Sequence, residues 1–205
     1  MHILDPGAGS GILSIALLER LQGIPQLKSV HLVCYENDSK IIELLKTNLD
    51  WVCQNSTIQI NYEIREDNYI LSQILDYNGM IGANPSPLKY DMVVSNPPYM
   101  KMTRDSPEAK AMPDVCYGAP NLYFLFAAMG LFNLIHNGEL VYIIPRSWTS
   151  GAYFKRFRQK FLSEGTLQHI HLFVSRDKVF DKESVLQETI IIKVRKSTQK
   201  PSKVA

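Results

Sequence analysis

Asn96-Pro97-Pro98-Tyr99 stands directly behind the apolar run "YDMVVS". Proline donates no backbone hydrogen bond and holds φ at about −65°. Two prolines in succession make a stiff turn whose carbonyls point in set directions. Asn96 adds a side-chain oxygen acceptor. The turn thus offers two acceptors, the Asn96 side chain and the Pro97 carbonyl. A planar NH2 group has two donors to meet them, and Tyr99 can lie flat on the ring that bears it. The chemistry this suits is alkylation of an aromatic amine. Such a nitrogen is a poor nucleophile because its lone pair is spread into the ring. Two acceptors set for a tetrahedral nitrogen would localise that pair. What remains is alignment with an electrophile and fixed dipoles for the developing positive charge. No strong base is needed before transfer. Taken alone, Asn-Pro-Pro reads more readily as a proline-stiffened strand end.

Features upstream add weight. "LDPGAGSG" places Gly7, Gly9 and Gly11 at a strand-to-helix turn. Glycines there permit positive φ and let the backbone approach a ligand. The next apolar run ends in "CYEND", so Glu36 falls at a strand's carboxyl end, where an acid can accept from both hydroxyls of a ribose. Asp5 enters the glycine turn. A carboxylate is a poor neighbour for a pyrophosphate but suits a cation. S-adenosylmethionine carries an ammonium and a sulfonium, so Asp5 favours it over NAD. A third strand ends in "REDNY", where Asp67 can accept the exocyclic amino group of a cofactor adenine. For each acid the plainer reading is a solvated strand end.

These positions need a scaffold, and the chain alternates as one requires. Strands are expected at "HIL", "SVHLVCYE", "IQINYEI", "YDMVVS", "LVYIIP", "LQHIHLFV" and "ETIIIKV". Helices are expected at "ILSIALLERLQ" with Ser10 as N-cap, and at "DSKIIELLKTNLDWVCQ" capped by Asp38 or Ser39. A short one is expected at "YILSQILDY". Another covers "LYFLFAAMGLFNLIH", closed by "NGE", and a basic amphipathic one covers "YFKRFRQKFL". Strands alternating with helices imply a mostly parallel sheet covered on both faces. Residues 79–89 and 100–120 read as loops, the second long enough to suggest function or disorder. One domain over 1–196 with a disordered tail at 197–205 is expected. The chain starts three residues before its glycine turn, so the natural protein is expected to extend upstream.

Composition sets outer bounds. The chain has 205 residues, 45% hydrophobic and 20% charged, enough for one sizeable core. Its apolar runs fall short of the roughly 20 residues of a membrane span, and Asp5 interrupts any signal peptide. Cys34, Cys53 and Cys116 show no paired spacing and read as reduced thiols of a cytoplasmic protein, with no metal site. Net charge is +2, but residues 1–145 carry 9 basic and 15 acidic side chains, and residues 146–205 carry 13 and 5. The basic quarter suggests a polyanion, with a solubilising tail as the plainer reading.

In this order the motifs resemble the amino-methyltransferases that use S-adenosylmethionine. The stretch from "NLYFLF" through "IIPRSW" to "FRQKFL", with "KVFDKES" after it, is similar to bacterial restriction–modification adenine-N6 DNA methyltransferases. The resemblance covers most of residues 3–195. It implies a Rossmann-like fold with a mostly parallel seven-stranded sheet. It implies transfer of methyl from S-adenosylmethionine to the N6 amino group of an adenine flipped out of DNA. Asn96, Pro97, Pro98 and Tyr99 would be catalytic, and Tyr99 and Phe180 would hold the flipped base. Asp5, Gly7, Gly9, Gly11, Glu36, Asp67 and Asn121 would bind the cofactor. The basic helix 153–162 could touch phosphates, although a solvated helix is the preferred reading. A restriction or specificity subunit, or a fused domain, would be a partner. Such enzymes carry an upstream segment that closes over the cofactor and a downstream target-recognition domain, both expected to be missing here. Asn37 and Asn68 stand where apolar residues usually flank the cofactor adenine. The rival readings are a methyltransferase of protein glutamine or of guanine in RNA, and a non-catalytic domain that binds DNA or a partner.

Overall fold

The computed structural model describes residues 1–80, 89–173 and 188–199. Seven strands form one sheet: β1 (His2–Pro6), β2 (Ser29–Tyr35), β3 (Gln59–Arg65), β4 (Tyr90–Ser95), β5 (Leu134–Pro145), β6 (Gly165–Leu172) and β7 (Thr189–Lys196). Their order is β3-β2-β1-β4-β5-β7-β6. The pairs from β3 to β5 are all parallel. β7 runs antiparallel to both β5 and β6. The sheet is therefore mixed, mostly parallel as expected, with one reversed strand.

The helices are α1 (Ile12–Leu21), α2 (Ser39–Gln54), α3 (Tyr69–Ser72), α4 (Ile74–Tyr77), α5 (Pro107–Ala111), α6 (Leu122–Asn133) and α7 (Lys155–Glu164). Alternate residues of the central strands enter two cores. Leu4, Val33, Val93, Leu140 and Ile144 meet α6 and α7 on one face. Ile3, Leu32, Cys34 and Val94 meet α1 and α2 on the other. Burial on both faces is why these strands read as unbroken apolar runs. Every residue of α6 except Phe132 is buried, which matches its lack of a polar stripe. Among the described residues no helix is long and apolar enough to cross a membrane.

Four local expectations are corrected. The first helix is capped by Gly11, not Ser10. Gly11 sits at φ 81° with no side-chain cap bond, and a Cβ there would lie 2.7 Å from Leu45 Cδ1. The third glycine thus serves close packing of α1 on α2. "YILSQILDY" breaks into α3 and α4 at Gln73, because the Gln73 amide is drawn into buried hydrogen bonds with Tyr35 and Asn133. α6 ends at Asn133, and "LIHNGE" already belongs to β5. Asn137 takes φ 65°, and Gly138 lets the strand approach the Asp91 carbonyl, which a Cβ would meet at 3.1 Å. The loop at 100–120 contains α5, capped by Ser106 with Pro107 in its first turn. The second helix behaves as expected, its Asp38 cap accepting from Lys40 N at 3.0 Å.

Order extends past the expected boundary at 196. Ser197 N donates to the Glu164 carbonyl at 3.0 Å, and the Thr166 hydroxyl donates to the Ser197 carbonyl at 2.8 Å. Residues 200–205 lie outside the described residues.

Candidate functional site

β1 and β4 pair only at Ile3–Met92 and Leu4–Val93. Beyond these residues the ladder stops, and the Ser95 hydroxyl donates to the Pro6 carbonyl. Strand order reverses here, because β1 lies between β2 and β4. The crevice outside the carboxyl ends at such a point is the usual ligand site of α/β sheets. A cavity of about 440 Å³ occupies it.

The turns after the first four strands build the cavity. The glycine turn contributes Gly7, with φ 76°; a Cβ there would lie 3.4 Å from Phe126 Cε1 and 3.6 Å from Pro98 Cδ. Gly9 and Gly11 do not line it. Gly9 N instead donates to Glu36 Oε2 at 2.8 Å, and Asp38 N donates to Glu36 Oε1 at 2.9 Å. Glu36 is thereby fixed in the wall with a lone pair left on each oxygen. Asp67 lines the cavity beside Asn68. The Asn68 side chain caps α3 by accepting from Ile70 N and Leu71 N, and it donates to Glu108 Oε1 at 2.8 Å. Asn37 also lines the cavity.

Glu108, on α5, was not anticipated. It is only 9% exposed, it lines the cavity, and its second oxygen has no partner. The signal was present as Ser106-Pro107-Glu108: an N-cap residue, a proline at the first helical position and an acid in the first turn. Among the described residues, Glu36, Asp67 and Glu108 are joined in the lining by no lysine, arginine or histidine. That field repels phosphates and favours a cationic ligand with amino donors.

Asp5 stands apart. It is 1% exposed and does not line the cavity. Its Oδ2 accepts from the Ser14 hydroxyl at 2.6 Å, and its Oδ1 is buried without a partner. Burial raises its carboxyl to about 7, against the Ser14 hydrogen bond, with the Glu36 charge adding to the rise. The folded value exceeds the ordinary 3.8. The folded chain therefore holds the extra proton between those values. Stability from this group is complete below about pH 4 and is lost as pH rises through about 7. Asp5→Asn should remove this dependence. Melting temperature of the variant minus that of the parent should climb from about pH 5 to about pH 8. A flat difference would place the titration on another group.

The 96–99 turn stands at the mouth of the crevice. Asn96 and Pro98 line the cavity; Pro97 is buried. The Tyr99 hydroxyl lies 2.7 Å from Asn96 Oδ1 and 3.0 Å from the Ile143 carbonyl. With one proton it donates to one of them at a time. Burial pushes this phenol up, so Tyr99 stays protonated and is no base. Its ring meets Tyr123 edge-on at 6.2 Å and does not line the cavity.

Asn121 is not part of this cavity. It caps α6 by accepting from Tyr123 N at 3.3 Å and lines a second cavity. Phe180 lies outside the described residues. Phe173 and Glu188, which flank its stretch, stand at the sheet edge that also carries the four turns.

Three of the four basic residues of α7 are engaged internally. Arg158 donates to the carbonyls of Trp148, Ser150 and Gly151. Arg156 donates to the Cys116 carbonyl at 3.0 Å. Lys160 pairs with Asp114 and Glu164. The two arginines thus fasten the loops at 113–116 and 148–151. Among the described residues no cluster of three His, Cys, Asp or Glu is placed to hold a metal.

A sequence profile described as Eco57I restriction-modification methylase matches residues 22–180. The chain belongs to this family. Type II methyltransferase M.BsuBI of Bacillus subtilis is 34% identical over 199 residues, covering 96% of this chain and 39% of that protein. Type II methyltransferase M.PstI of Providencia stuartii is 35% identical over 199 residues, covering 95% and 38%. The chain thus spans about two fifths of the length of these relatives. A solved Listeria monocytogenes structure, assigned to the class I S-adenosylmethionine-dependent methyltransferases, superposes with a TM-score of 0.70. That match covers 99% of this chain and 56% of the other at 18% identity, and shows the fold. The cofactor of this methylase family and fold is S-adenosylmethionine. The residues fit it: a lining whose charged groups, among the described residues, are all acids suits its sulfonium and its amino groups, and a Cβ at Gly7 would come against Phe126 and Pro98 of that lining.

Proposed function

We propose that the chain is the catalytic part of a DNA methyltransferase that acts on the N6 amino group of an adenine swung out of the duplex. The observation that carries this reading is the placement of Asn96. Asn96 lines the same cavity as Glu36, Asp67 and Glu108, so an amine held by its amide would lie beside the cofactor.

When bound, S-adenosylmethionine supplies an electrophilic methyl group on a positive sulfur. The protein's part is positioning. Asn96 Oδ1 keeps one lone pair for the substrate amine while the Tyr99 hydroxyl occupies the other side of the acceptor. The Pro97 carbonyl is the second acceptor. Together they draw the nitrogen toward tetrahedral geometry and hold the charge that develops as the N–C bond forms and the S–C bond breaks. Tyr99, held protonated, steadies Asn96 and takes no proton. The amine's surplus proton leaves to solvent after transfer. Tyr99 and Phe180 would grip the extruded base. Glu36 would hold the ribose and Asp67 the cofactor's adenine amino group.

The deciding experiment uses the whole natural gene product and S-adenosylmethionine labelled in its methyl group. DNA, RNA and release-factor protein are offered as acceptors. Label recovered as N6-methyladenine from DNA is expected. Label on a glutamine or on guanine in RNA would sink this reading. Cofactor binding with no transfer to any of the three would favour the non-catalytic one.

A further inference from the structure

Two short segments run antiparallel beside the 96–99 turn. Met102 N donates to the Pro120 carbonyl at 2.7 Å, Leu122 N donates to the Met100 carbonyl at 2.8 Å, and Lys101 pairs with Asn121. Along such a ribbon successive side chains face opposite ways. Met100 and Leu122 line the acidic cavity. Lys101 and Asn121 line a second one, of about 420 Å³, on the other side. The ribbon is a common wall.

The second cavity has the opposite character. Tyr123, Tyr153 and Phe154 give it aromatic walls, the Tyr123 and Phe154 rings lying 6.5 Å apart at 35°. Ser147 and Asn121 add polar groups, and Lys101 adds a positive charge. Among the described residues no carboxylate lines it. Lys101 makes no ion pair with the described residues. Arg158 fastens the carbonyls at 148, 150 and 151, and so sets the wall that carries Ser147 and Tyr153 in advance of any ligand. Tyr123 links this cavity to the reaction turn through its edge contact with Tyr99.

A planar ring attached to an anion matches these surroundings: the ring against the aromatic walls, the anion at Lys101. We infer that the second cavity binds a nucleotide, and that this nucleotide belongs to the substrate strand beside the base to be methylated. Its place in a strand rests on the DNA reading above; its binding as a base plus phosphate does not.

The test uses the full-length protein and its Lys101→Gln and Tyr153→Ala variants, both altered at exposed positions and checked by thermal melting. The first arm measures affinity for a duplex carrying 2-aminopurine next to the target adenine. Tyr153→Ala should weaken it roughly ten- to a hundredfold, the loss of one stacked base, and should restore fluorescence that stacking quenches. Lys101→Gln should weaken it about tenfold. Cofactor affinity should stay unchanged in both. The second arm titrates 2-aminopurine deoxynucleoside monophosphate. DNA affinity within twofold of the parent in both variants would overturn the strand-borne site. If the parent binds no DNA yet binds the mononucleotide, and both variants lose it, the cavity stands and the DNA reading fails. If neither ligand responds to either variant, the cavity binds no nucleotide.

Discussion

Asn96→Ala is expected to reduce methyl transfer by about two to three orders of magnitude, the usual cost of removing one preorganised dipole at a reacting centre. Binding of S-adenosylmethionine should stay within about threefold. The Asn96 amide offers the substrate amine an acceptor that is already oriented, since the Tyr99 hydroxyl lies 2.7 Å from it. An alanine leaves the stiff proline turn in place but gives the nitrogen lone pair nothing to be localised by. Tyr99→Phe makes the informative comparison. It keeps the ring, loses the hydrogen bonds to Asn96 and Ile143, and should cost about tenfold. Single-turnover transfer rates and calorimetric cofactor affinity read the two effects separately. A parallel loss of cofactor binding in Asn96→Ala would assign this residue to holding the cofactor.

The second large effect is on stability. Tyr35 and Tyr69 line the acidic cavity, and a buried polar chain supports both. The Tyr69 hydroxyl donates to Asn133 Oδ1 at 2.7 Å, and Asn133 Nδ2 donates to Gln73 Oε1 at 3.0 Å. Gln73 Nε2 donates to the Tyr35 hydroxyl at 2.8 Å, and Arg65 reaches the same hydroxyl at 3.0 Å. Asn133 is 1% exposed. Asn133→Ala strands two buried groups at once, each costing about 1–3 kcal/mol. A loss of about 2–5 kcal/mol in urea unfolding is expected, with weaker cofactor binding as the tyrosine walls loosen. Asn133→Leu restores volume but not the partners, so it should be nearly as damaging. A leucine variant as stable as the parent would show that packing alone holds this region.

What could be read along the chain was whatever is local. The glycine turn, the acid behind β2 and the proline turn behind β4 each announce themselves within a few residues, and strand periodicity places them at one edge. What could not be read depends on distant partners. The break at Gln73 follows from Tyr35 and Asn133, 38 and 60 residues away. Glu108 enters the cavity because Asn68, 40 residues earlier, donates to it. Asp5 reads as a ligand acid, yet its carboxylate turns inward to Ser14. Asn121 reads as part of the cofactor site, yet the ribbon with Lys101 puts it on the far side of a wall.

The arginine staples of α7 bear on how any polyanion would be felt. Arg146, Lys193 and Arg195 are paired with carboxylates, and Arg156, Arg158 and Lys196 are spent on carbonyls. With Lys160, which pairs with Asp114 and Glu164, seven of the eight basic residues that the structure describes between 146 and 199 are part of the scaffold. Affinity for a nucleic acid falls with salt in proportion to the phosphates neutralised, because each releases condensed counterions. A side chain locked onto its own backbone releases none. These seven side chains should therefore add little to the logarithmic salt slope of nucleic-acid binding, and replacing Arg156 or Arg158 should leave that slope unchanged.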